Sequence, residues 1–297
     1  MTRSLLSLFI LILFTSPVLA QENRQPGPPK VLLIVREEIK PGMMAAHARH
    51  SSDFVQVFNQ LNTPNHRIAM VPVAGNENEV LYVTAAQSFA EIETLNRSTD
   101  QRMGTANGAM RVKLDALDKE APGMHAAMRD MLAVYRPELS FNPGVNIAQM
   151  RYFTITTTRI RPGFDGVYSE YVQKVVNVAR NKAKADDLHV AVFQVVSGAP
   201  GGTYLIFRPM KSLAELDNPI GMKVRAAMTD DQRKDADKAV REAILSSDVS
   251  TYAFAPSMSY VDREFAAMDS AFWSPKPQTA VKPKPRKRAA AKQPPAN

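Results

Sequence analysis

Residues 151–164, RYFTITTTRIRPGF, decide the fold, because residues 31–43, VLLIVREEIKPGM, are the same passage in other letters. In the later copy Phe153 and Ile155 alternate with Thr154, Thr156 and Thr158, the period of a half-buried strand rich in β-branched residues. Pro162-Gly163 ends that strand, as Pro41-Gly42 ends its counterpart. From Phe164 the apolar positions 164, 168, 171, 172, 175 and 179 follow helical spacing. Next comes a hairpin: His189–Val196, a glycine-rich turn at 198–202, and Tyr204–Phe207. The earlier copy has its own version in HRIAMVPVAG, 66–75, and EVLYVTAA, 79–86.

Both hairpins lead into a helix start, Ser88-Phe-Ala-Glu91 and Ser212-Leu-Ala-Glu215, in which hydroxyl and carboxylate satisfy the first amides. A further helix is expected from near Gln101 in one copy and near Thr229 in the other. A short last strand closes each unit at Leu132–Tyr135 and Thr251–Phe254, stopped by Pro137 and Pro256. The order β-α-β-β-α-β, taken twice, predicts an α+β chain of two tandem ferredoxin-like repeats. A sheet covered by helices on one face must bury the other, so the repeats are expected to pack sheet to sheet as an intramolecular α/β barrel.

The strand–Pro-Gly–helix passages and the Ser-x-Ala-Glu-(Ile/Leu) helix starts resemble the dimeric α/β barrel superfamily in a single-chain form, over about residues 31–257. That superfamily includes NIPSNAP-like and EthD-like proteins, cofactor-free monooxygenases, haem-degrading enzymes and chlorite-dismutase-like haem proteins. The resemblance therefore implies a backbone and leaves the chemistry open.

The expected organisation is a signal peptide over 1–20, a linker over 21–30, repeats over 31–140 and 151–258 joined by 141–150, a helical extension over 259–273 and a disordered tail over 274–297. Arg3, the apolar run from Leu5 to Phe14 and the small-residue finish at Ala20 predict cleavage near Ala20 and a secreted or periplasmic protein. The run is shorter than the about 20 residues that span a bilayer, so no transmembrane segment is expected in the mature chain. There are no cysteines, hence no disulfides. The net charge is +8, and the seven basic residues of the tail together with Arg3 account for all of it. The body is neutral, which argues against a specific nucleic-acid groove there. The tail could hold an anionic envelope polymer.

Phe54, Val57, Phe58 and Leu61 define the buried face of the first helix, and stepping back along it reaches His50 and His47. With Asp53 these form a weak candidate metal set. The second copy has Tyr168, Tyr171 and Lys174 in their places. His47, His50, Tyr168 and Tyr171 are large, flat and able to hydrogen bond, which suits the lining of a pocket between helix and sheet; core filling is the plainer alternative. His66 and His189 match at the opening of the second strand of each copy, and Tyr82, Tyr204 and Arg208 are further candidate ligand-binding groups. The methionines at 124, 128 and 131 have helical spacing and are expected to fill core.

No phosphate loop, nucleophile elbow, catalytic cysteine or HExxH motif is present. The main expectation is binding of a small apolar or aromatic molecule between sheet and helices, with no cofactor. The alternatives are a cofactor-free or haem-dependent monooxygenase-like enzyme, with His47, His50 or His66 as base or ligand, and an envelope-interaction protein acting through its basic tail.

Overall fold

The computed structural model describes residues 27–274. The expected signal peptide, most of the first linker and nearly all of the basic tail lie outside these residues. The first repeat runs β1 (Val31–Ile39), α1 (Met44–Leu61), β2 (Ile68–Ala74), β3 (Glu79–Ala86), α2 (Phe89–Gly104), α3 (Gly108–Met124) and β4 (His125–Tyr135). The second runs β5 (Tyr152–Ile160), α4 (Asp165–Glu170), a π-helical turn (Tyr171–Val176), α5 (Asn177–Lys182), β6 (Ala191–Ser197), β7 (Thr203–Met210), α6 (Ile220–Ala226), α7 (Asp230–Ala243) and β8 (Ile244–Phe254). Two short helices, α8 (Arg263–Ala267) and α9 (Ser270–Trp273), follow. Among the described residues no helix is long and apolar enough to cross a membrane.

All eight strands join in one closed antiparallel barrel of order β1-β3-β2-β8-β5-β7-β6-β4. Each repeat keeps the ferredoxin-like order of its own four strands. The repeats meet at two seams, β2 with β8 (Met70 opposite Phe254) and β4 with β6 (Tyr135 opposite Phe193). Closure leaves no unpaired sheet edge. The turn from first strand to first helix is the same in both repeats, with Gly42 at φ 81° and Gly163 at φ 84°, a region that side chains avoid.

Alternation along β1 sorts its side chains into two layers. Leu32 and Ile34 point into the barrel with Met70, Ile155, Phe193, Leu205, Phe207 and Phe254. Phe207 meets Phe153 and Phe193 edge to face, with centroids 5.4 and 5.6 Å apart. One end of this core is closed by Trp273, the single tryptophan, whose indole donates to Ala148 O at 2.7 Å. At the other end Glu79 is buried, ion-paired to Arg36, and accepts from Tyr252 Oη at 2.5 Å. The outer layer, from Val35, Ile39, Val80 and Tyr82, lies under the helices.

Several sequence expectations need correction. The closing strands are 11 residues long and begin at His125 and Ile244, seven residues before the expected starts. Each follows its helix with no turn residue between, and its first half pairs near the polar barrel mouth, where Asp248 and Ser250 replace an apolar alternation. Consequently Met124, Met128 and Met131 do not share a helix: Met124 ends α3, Met128 is an exposed residue of β4, and Met131 turns toward the barrel core. The further helix expected from near Gln101 begins at Gly108, with φ 49°, and Gln101 belongs to the last turn of α2. In the second repeat the Ser212 start yields only a short 3-10 turn before Pro219, whereas Ser88 caps a full helix.

Candidate functional site

The outer face of the first sheet carries a carboxylate where its neighbours are apolar. Glu37 lies between Val35 and Ile39 on the helix-facing side of β1, and α1 lays His47 over it. His47 Nε2 donates to Glu37 Oε2 at 2.6 Å. His125, the first residue of β4, approaches the same oxygen with Nε2 at 3.1 Å, while its Nδ1 donates to Ala121 O at 2.7 Å. The two imidazoles cross edge to face at 5.2 Å. Register brings them together, since His125 is opposite Ile39, two residues beyond Glu37.

A neutral His125 whose Nδ1–H is committed to a carbonyl presents a lone pair at Nε2, and an ionised carboxylate also presents lone pairs. A positive centre therefore belongs between Glu37 and His125, either a shared proton or a cation. The chemistry of the donor set admits the cation: Glu37, His47 and His125 each offer one ligand atom, all within 4.8 Å of one another. Burial by itself would raise the Glu37 pKa, but the hydrogen bond from His47, then the interaction with His125, outweighs it and leaves the carboxyl below its usual value.

Tyr82 and Arg67 complete the surroundings. Tyr82 is buried, its Oη lies 2.6 Å from Ser51 Oγ, and burial followed by the charge of Glu37 holds its pKa well above the usual phenol value. The Arg67 guanidinium sits over the Tyr82 ring at 4.5 Å and the Phe58 ring at 5.1 Å. Burial pulls the Arg67 pKa down, against the charges of Tyr82 and Glu37. Among the described residues, the buried side-chain polar atoms without a partner are His47 Nδ1, Thr63 Oγ1, Asn65 Oδ1 and Arg67 Nε, all on α1 or the segment after it.

The other candidates are spread over both repeats. His50 is buried on the same helix face, but its Nε2 donates to Leu117 O at 2.9 Å and ties α1 to α3. Asp53 faces Lys113 at 3.2 Å, so the set His47, His50, Asp53 is not brought together. His66 stacks near Tyr260 at 4.8 Å. In the second repeat Tyr168 packs on Tyr204 at 5.0 Å, and Tyr204 Oη donates to Asp165 at 3.0 Å; burial, with that acceptor, pushes the Tyr204 pKa up to about 12. Tyr171 and Arg208 line a cleft of about 430 Å³ between helices and sheet, and His189 donates from Nδ1 to Asn142 O at 2.7 Å beside that cleft. Sequence reasoning missed Glu37, His125 and Arg67. Glu37 was detectable as a carboxylate on an apolar strand face; His125 was not, because its strand start could not be told from helix.

Two of the three imidazoles proposed for haem, His47 and His50, do not present a free Nε2, since these atoms are already committed to Glu37 and Leu117.

No family model matches this chain, and no curated protein matches its sequence. Solved structures with a similar backbone include a protein from Fusobacterium nucleatum provisionally assigned as a monooxygenase, with TM-score 0.45 and 9% identity over 76% of this chain and 93% of that one. An anthrone oxidase-like protein matches at TM-score 0.42 and 10% identity, over 77% and 93% of the two chains. An engineered variant of chlorite dismutase from Candidatus Nitrospira defluvii matches at TM-score 0.45 and 9% identity, over 77% and 93%. Similarity this distant concerns the ferredoxin-like barrel and carries nothing about activity.

Proposed function

We propose that the protein is a cofactor-independent acid–base enzyme with its centre at Glu37, His47 and His125, acting on a small molecule bound in the helix–sheet layer of the first repeat. The observation that supports this is the carboxylate–imidazole dyad: Glu37 takes the Nε2–H of His47, which leaves the lone pair on the buried, unpartnered Nδ1. A base so oriented abstracts a proton from a weakly acidic O–H or C–H group. Arg67 supplies positive charge for the anion formed, and Tyr82, kept neutral, supplies a hydroxyl beside it. Of the functions expected from sequence, the cofactor-free oxygenase-like alternative is nearest to this chemistry, and the passive binder is further from it.

The convergence of Glu37, His47 and His125 favours a second reading, a divalent cation held by two imidazoles and a carboxylate. His125 has the outer-sphere partner that such a ligand requires, its Nδ1–H on a carbonyl. The nearby Arg67 opposes it, since a buried divalent ion would add to a positive charge already present.

One assay tests both readings. 5-Nitrobenzisoxazole opens when a base removes its C–H proton, so its turnover reports a positioned base. The rate is expected to fall about 100-fold in H47Q and in E37Q, within the range for one general base, and to be unchanged in H50Q and in chelator. Retention of the rate by H47Q contradicts the acid–base centre; loss in chelator with recovery on adding zinc selects the cation.

A further inference from the structure

The second repeat holds a cleft that the acid–base centre does not use. It has two chambers with Leu188, Arg208 and Ile220 in common, one of about 430 Å³ and one of about 700 Å³, both open to solvent. These are ordinary sizes for small-molecule sites. The sequence explains why the cleft is there. The π-helical turn at Tyr171–Val176 widens its helix, and α6, which starts only after Pro219, has just seven residues.

Its walls are chemically divided. Tyr171, Val176, Val224 and Met228 give the smaller chamber an apolar wall, while Lys184, Lys211 and Lys223 stand around the larger one. Two guanidinium groups are present: Arg208 lines both chambers and Arg180 the smaller one. Arg180 donates to Asn177 Oδ1 at 2.9 Å and lies over the Phe141 ring at 5.6 Å. Arg208 donates to Glu215 O at 3.1 Å. Among the described residues neither is ion-paired with a carboxylate, whereas neighbouring Arg225 is paired with Asp237. The two rim carboxylates are Asp187 and Glu215, and Glu215 is already the acceptor for Lys211 N–H at 2.7 Å. Burial lowers the Arg180 pKa, against Tyr168 and Tyr171, which marks a cation short of solvent.

A planar cation without a carboxylate partner at the head of an apolar chamber is built to receive one. We infer that this cleft binds a small amphipathic carboxylate, with its head between Arg180 and Arg208 and its apolar body against Tyr171, Val224 and Met228. The site is separate from the first-repeat centre and does not depend on what that centre does.

Calorimetric titration of the full chain with decanoate, decanol and decyltrimethylammonium, each below its aggregation concentration, tests the assignment. Decanoate is expected to bind one to one, and the alcohol and the ammonium at least tenfold more weakly. R208M and R180M should each weaken decanoate at least tenfold without changing decanol, and H47Q should bind decanoate as the unaltered chain does. R208M, on a strand at the cleft rim, keeps the test valid if R180M fails to fold. Absence of decanoate binding, equal binding of decanoate and decanol, or unchanged decanoate affinity in R208M would each overturn the inference.

Discussion

At the scale of residues, the informative feature is Glu37, a carboxylate that two imidazoles share on the covered face of a sheet. Its pKa is lower in the folded chain than in the unfolded one, so its stabilisation is complete above the ordinary carboxylate pKa and fades as pH falls through the lowered value. E37Q keeps an acceptor for His47 and loses the charge. It is expected to be about 1–3 kcal/mol less stable at neutral pH, as for a hydrogen bond to a charged group, with the deficit shrinking below about pH 4, where carboxylates protonate. Urea midpoints of both proteins across pH 3 to 7 check this. A deficit that stays constant down to pH 3 would mean that Glu37 is not held as the anion. His50 shows how far periodicity alone reaches: helical spacing places it on the buried face with His47, yet spacing does not reveal that its nitrogen is used on Leu117 O.

At the scale of elements, glycine carries the closure of the barrel. Gly198, at φ 88°, ends β6 against β4, and a Cβ there would stand 1.9 Å from Asp130 O. Gly201, in the same turn, has nothing within 4 Å and an unstrained φ. G198A is expected to lower stability by about 2–4 kcal/mol through strain and a forced backbone shift, and G201A to leave the melting temperature within a few degrees. Equal melting temperatures for the two variants would show that the β4–β6 seam tolerates opening. The same turn shows what could be read in advance. Its glycines, the Pro-Gly exits and the serine-capped helix starts are local chemistry, and each marks an element boundary in the structure. The starts of β4 and β8 have no such local mark. They follow a helix directly, and whether His125-Ala-Ala-Met-Arg-Asp is helix or strand is settled by pairing with β1, a contact about 90 residues distant in sequence.

At the scale of the whole molecule, duplication supplies the barrel and divergence supplies the site. Ile39 is opposite His125 in the first repeat, and Ile160 is opposite Ile244 in the second, so the two places are equivalent in register. Where the first repeat has Glu37, His47 and His125, the second has Thr158, Tyr168 and Ile244. The titratable cluster is thus confined to one half, and the open amphipathic cleft to the other. Each half also leaves two strand edges that the other half covers, at β2–β8 and β4–β6. Residues 27–140 produced alone are expected to self-associate through those edges, which light scattering after gel filtration would show as a dimer or larger species; a stable monomer would contradict the dependence of one repeat on the other.

The centre itself is tested most directly by the ring nitrogens of His47. In protein labelled with ¹⁵N-histidine and assigned through H47Q, a long-range ¹H–¹⁵N correlation spectrum should show His47 protonated at Nε2, with an unprotonated Nδ1 and no change on adding chelator or zinc. A proton on Nδ1, or a zinc-dependent shift at Nε2 of His47 and His125 together, would contradict the acid–base centre.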